Sequence, residues 1–171
     1  MRRRHLGFWV FGLLMFIASP LLALNSEMNR SSLQGLQGVR VLVEDLTSEM
    51  EGEGVTQKTM QKEIETRLQG AGIRVLTQEE ATQTPGEPYL YVNVNVTLSK
   101  GVEEACSYSI DLALIQNVTL VRNPRQTTYA ITWSTGGVGL IGKKSLKDLK
   151  ESVLEVADLF IKAFMSVNPK K

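Results

Sequence analysis

The stretch Tyr89-Leu90-Tyr91-Val92-Asn93-Val94-Asn95-Val96-Thr97-Leu98-Ser99 decides the fold. Leu90, Val92, Val94, Val96 and Leu98 point one way, and Tyr89, Tyr91, Asn93, Asn95 and Thr97 the other. A period of two marks a strand with one dry face and one wet face. Such alternation belongs to an antiparallel sheet covered on a single side, because strands buried on both faces read as continuous apolar runs. The flanking sequence must therefore supply sheet partners and the helices that cover the dry face.

Downstream, a turn over residues 100–104 returns the chain into Ser107–Val121, where Tyr108, Ile110, Leu112, Leu114, Val118 and Leu120 share a face and Gln116 is the exception. The two strands should pair as a long hairpin. Asn123-Pro124-Arg125 reads as the next turn. Residues 127–135 then form a third antiparallel strand, with Tyr129, Ile131 and Trp133 on one side. The glycine-rich run 136–144 reads as a turn into a last helix. Ser145 and Asp148 stand at capping-box spacing there, and Leu146, Leu149, Val153, Val156, Ala157, Phe160, Ala163 and Phe164 recur at three and four until Asn168-Pro169.

Upstream, Gly38-Val39-Arg40-Val41-Leu42-Val43 alternates as a first strand. After the acidic turn of Glu49, Glu51 and Glu53, the spacing of Met60, Ile64 and Leu68 predicts a helix from Thr56 that Gly70 caps. Residues 73–77 read as a second strand, and Thr77 with Glu80 as a capping box for one helical turn before Pro85-Gly86-Glu87-Pro88. The fold class expected is α+β: a β-α-β unit, then a three-strand antiparallel meander and a C-terminal helix, with two main helices on one face of a mixed sheet.

At the amino end, Met1-Arg2-Arg3-Arg4-His5 precedes an apolar block and Ser19-Pro20-Leu21-Leu22-Ala23. This matches an export signal over residues 1–23, with an uncleaved membrane anchor through residues 6–24 as the alternative. Residues 24–37 read as a flexible lead, 38–168 as a single domain and 169–171 as a tail. The domain is expected outside the cytoplasm, periplasmic or secreted. The only cysteine, Cys106, excludes an internal disulfide, and it lies too deep in the chain for lipid attachment at the cleavage point.

Several chemistries fall away. With 19 basic and 18 acidic residues, the chain lacks the cationic footprint that binds phosphate backbones, so nucleic acid is not an expected partner. The only histidine, His5, lies in the export segment; neither Cys106 nor any serine then has an imidazole base, and a histidine zinc site cannot form. Gly137 to Lys144 approaches a phosphate-binding loop, but Lys144 stands where the magnesium-binding hydroxyl belongs, so no nucleotide is expected. Calcium at Glu49, Glu51 and Glu53 lacks EF-hand spacing. Glu44 and Asp45 point to opposite faces of a strand, and Asp111 reads as an outward residue. No cofactor, metal or catalytic residue is expected.

Two recognition surfaces remain. Tyr89, Tyr91, Asn93, Asn95 and Thr97 offer aromatic area and adaptable hydrogen bonds to a partner. Tyr129, Trp133, Phe160 and Phe164 are expected to frame a pocket for a small ligand. A carboxylate-dependent hydrolase is a third alternative.

The segment GVRVLVEDL, followed by TRLQGAGIRVLTQEEA, resembles a small α+β module of bacterial envelope proteins, such as the amino-terminal domain of the Tol-system propeller protein and the curli secretion lipoprotein. The shared order is a strand, a helix ending near glycine, and a second strand with an acidic turn. The resemblance implies an adaptor or assembly role in the envelope, with an envelope protein or complex as partner.

Overall fold

The computed structural model describes residues 26–98 and 105–169. The expected export segment, the turn at 100–104 and the last two lysines lie outside the described residues. Along the chain come α1 (Glu27–Ser31), β1 (Arg40–Val43), α2 (Ser48–Gly52), α3 (Gln57–Gly70), α4 (Gln78–Gln83), β2 (Tyr89–Leu98), β3 (Ala105–Leu120), β4 (Asn123–Gly142), a 3-10 turn (Lys143–Asp148) and α5 (Leu149–Val167). The fold is α+β. One mixed sheet has the order β1-β2-β3-β4, with β1 parallel to β2 and the other pairs antiparallel.

The dry face of the sheet is the one the alternation predicts: Val39, Val41, Val43, Leu90, Val92, Val94, Val96, Ile110, Leu112 and Leu114 are buried. Against it lie Met60, Ile64 and Leu68 of α3 and Leu149, Val153, Ala157 and Phe160 of α5. Thr56 and Thr59 form a capping box at the start of α3, and Thr77 with Glu80 forms the expected one at α4. The side chain of Arg67 on α3 holds both carboxylate oxygens of Asp158 on α5, at 2.8 and 2.7 Å.

Seven local expectations give way to the structure. The second strand, 73–77, is reduced to a single parallel bridge between Val75 and Val39, and β2 itself is the parallel neighbour of β1. Gly72, with φ +86°, rather than Gly70, takes the left-handed position after α3. The β3–β4 hairpin turns at Val121 and Arg122, so Asn123 and Pro124 open β4. The glycine-rich run is strand up to Gly142, because Gly136, Gly137 and Gly139 pair with Asp111, Ile110 and Tyr108. Ser145 begins no α-helix: Lys143–Asp148 is 3-10, and Asp148 precedes α5 without a side-chain cap.

The sixth concerns the lead. Ser26 caps α1, Leu33 is fully buried, and Asn168 accepts from the Gly35 amide and donates to the Leu33 carbonyl, at 2.8 and 2.9 Å. Residues 26–36 thus join the domain: a capped turn of helix with Leu33 on its dry side is enough to dock it. The acidic turn likewise folds as α2 and buries Met50.

Candidate recognition face

Among the described residues no helix packs on the opposite face of the sheet. Register places on this face Arg40 and Leu42 of β1; Tyr89, Tyr91, Asn93, Asn95 and Thr97 of β2; and Ser107, Ser109, Asp111, Ala113 and Ile115 of β3. On β4 a bulge intervenes, since Leu114 pairs with Trp133 while Ile115 pairs with Ile131, leaving Thr132 as the extra residue. An extra residue in a period-two strand switches the face of everything beyond it. Tyr129 and Ile131 therefore leave the dry side that Trp133 occupies and stand beside Ile115 and Asn117 on the wet face.

This overturns the expected pocket. Trp133 and Phe160 have no exposed surface and meet edge to face with centroids 5.3 Å apart, and Phe160 meets Phe164 at 6.1 Å. These three rings fill the core. Tyr129 lies across the sheet from them, 53% exposed, and no cavity is framed by the four.

Tyr129 instead completes the tyrosine surface. Its ring meets that of Tyr89 edge to face at 6.2 Å. Its hydroxyl donates to Glu87 at 2.6 Å, and the Asn117 amide donates to the other oxygen of Glu87 at 3.1 Å. The hydroxyl of Tyr91 donates to Glu44, at the end of β1. The half-buried Tyr91 and the exposed Tyr129 are thus tethered through their hydroxyls by carboxylates on neighbouring segments. Glu87 has φ +44°, a conformation that costs a non-glycine residue roughly 1–2 kcal/mol. Its two side-chain bonds hold it there.

Farther along, Asn95 donates to Asn93 at 3.3 Å, and Asp111 stands across from Asn93. The small residues Ala113, Ser134 and Gly136 leave a shallow depression of about 340 Å³ between Tyr91, Ile131 and Val138. Cys106 is buried on the dry side. Among the described residues no three His, Cys, Asp or Glu side chains gather as metal ligands do, and no helix is long and apolar enough to cross a membrane.

No protein-family model and no curated protein matches the chain. Six chains of solved structures are similar to it. A single-residue variant of PelC from Paraburkholderia phytofirmans, solved as a dodecamer, is 18% identical with a TM-score of 0.42, the match covering 75% of this chain and 90% of that one.

Among the residues named above, sequence reasoning missed Glu44, Glu87 and Tyr129 as members of the tyrosine surface. The Pro-Gly-Glu-Pro loop advertises a turn and so a fixed Glu87. Nothing in the sequence marks Thr132 as a bulge.

The latch between Glu87 and Tyr129 responds to pH on both sides. The Tyr129 hydroxyl, and then the Asn117 amide, hold the Glu87 carboxyl below its ordinary value against the opposing effect of burial; the same bond raises Tyr129 above the ordinary tyrosine value. A lowered carboxyl pKa contributes stability above the ordinary carboxylate range and loses it as pH falls through the lowered value. A raised tyrosine pKa contributes below the ordinary tyrosine range and loses it as pH rises through the raised value. Glu87→Gln is expected to return Tyr129 toward the ordinary tyrosine range in an ultraviolet tyrosinate titration. An unchanged titration would dismiss the latch.

Proposed function

We propose that this chain is an exported, non-enzymatic recognition domain that binds a protein partner or another component of the cell envelope through the helix-free face of its sheet. The observation that carries this reading is the tethered tyrosine surface. Tyr89, Tyr91 and Tyr129 present wide amphipathic rings, and the bonds to Glu44 and Glu87 remove much of the rotamer freedom that binding would otherwise have to freeze out. A solvated sheet face with no role needs no such bracing. Export rests on the cationic start, apolar block and Ala23 of residues 1–23, and the envelope setting is supported by the resemblance of GVRVLVEDL and TRLQGAGIRVLTQEEA to envelope modules.

The test is quantitative cross-linking of the tagged full chain in its host's envelope, comparing wild type with the double variant Tyr91→Ala, Tyr129→Ala. Both side chains lie on the wet face, so the variant should fold. Loss of about tenfold or more of the cross-linked partner is expected, the scale of a tyrosine hot spot. Recovery of the same partners in the same amounts would rule out this face as the binding surface.

A further inference from the structure

β4 is the last strand of the sheet, and among the described residues no strand pairs with its outer edge. At twenty residues it is the longest strand of the four. Long exposed edges are normally blunted by charge, proline or shortness, because their free amides and carbonyls recruit another strand. Here no charged residue and no proline stands between Gln126 and Gly142. The Thr132 carbonyl on this strand accepts from Asn29 and Ser32, at 3.1 and 3.3 Å. Beyond it, from Ser134 to Gly142, no strand among the described residues pairs with the edge. Val138 and Leu140 stand 68% and 75% exposed on the wet face of this segment.

We infer that the segment Ser134–Gly142 pairs antiparallel with the same segment of a second copy of this chain, about a two-fold axis through Val138. Three features of the segment select its own copy as occupant. First, an uncharged edge meets itself without like charges opposing one another. Second, the axis at Val138 sets Leu140 opposite Gly136, and Gly136 has no side chain and borders the depression under Ala113 and Ser134. The leucine of each copy thus leans over the hollow of the other. Third, on the dry side Gly137 leaves a groove of about 400 Å³ between the edge and α5, with Glu155 and Lys162 on its rim. The two-fold rotation turns one α5 against the other and directs each Lys162 toward the opposite Glu155. The product is one continuous sheet whose two tyrosine surfaces lie on the same wet face.

Sedimentation of the full chain over a concentration series tests this. The expected result is a reversible monomer–dimer equilibrium that Val138→Lys weakens by about tenfold or more, since it brings two ammonium groups together on the axis. Val138 is exposed, so the variant retains the monomer fold. The register has its own test. Val138→Cys should form a disulfide-linked dimer under mild oxidation, whereas Leu140→Cys should not, because the two copies of residue 140 lie about 13 Å apart along the strands. A monomer at every concentration overturns the inference. So does a species larger than a dimer, a dimer indifferent to Val138→Lys, or equal cross-linking at both positions, and pairing with an extended segment of another protein would appear as the first of these.

Discussion

Trp133→Ala is expected to lower the free energy of unfolding by about 3–5 kcal/mol, the range for removing a large buried aromatic side chain. The indole has no exposed surface, pairs across the sheet with Leu114 and packs edge to face on Phe160, which in turn meets Phe164. Removing it opens a cavity where the sheet and α5 meet, and these rigid elements cannot collapse to fill it. A domain of ordinary stability has roughly 5–15 kcal/mol in total, so the variant should unfold at markedly lower urea concentration. Ile131→Ala, two residues away on the same strand, is the informative companion. Without the bulge at Thr132, Ile131 would share the side of Trp133. With it, Ile131 is 51% exposed on the other face, and its loss should cost under about 1 kcal/mol. Equal costs for the two variants would contradict the bulge.

Gly136→Ala should be the most damaging of the small substitutions. A methyl group at this position would stand 2.2 Å from the carbonyl oxygen of Ile110. That oxygen belongs to the backbone of β3 and cannot turn away as a side chain can, so β3 and β4 must separate where they pair in the middle of the sheet. A loss of about 1–3 kcal/mol follows from overpacking of this kind. Gly137→Ala, one residue on, meets nothing within 4 Å. It should be neutral or stabilising by up to about 1 kcal/mol, because it removes freedom from the unfolded chain. Urea unfolding of the pair, with amide exchange read along β3 and β4, separates a steric requirement at Gly136 from a general preference for glycine in this strand.

The parts of the fold legible in the sequence are those governed by one periodicity at a time. The alternation from Tyr89 to Leu98 assigned both faces of β2. The stripes Met60-Ile64-Leu68 and Leu149-Val153-Ala157-Phe160 placed α3 and α5 on the dry one. Where two signals compete, composition misleads. Gly136, Gly137, Gly139 and Gly142 look like a turn, yet all four are paired strand, because Gly136 allows the close approach of Ile110 and Gly139 lies under the ring of Tyr108. Leu33 and Leu36 are too few to show a period in a polar lead, although Leu33 is fully buried. At the candidate face, Tyr89, Tyr91, Asn93, Asn95 and Thr97 were legible from alternation alone. Tyr129 was not, since the extra residue Thr132 leaves no trace in a count of apolar positions.

The docking of α1 determines how this domain would carry load. A pull applied ahead of Ser26 reaches the folded body first through the bonds from Asn29 and Ser32 to the Thr132 carbonyl, and then through the Asn168 clasp on Leu33 and Gly35. The two groups follow one another along the chain, so tension from the amino end would test them one after the other, like the stitches of a seam opened from one end. Survival under a steady pull would then be a matter of how fast each small group lets go rather than of the total stability of the core. A chain tethered at its amino end would yield by paying out residues 26–36 before the sheet itself felt the strain.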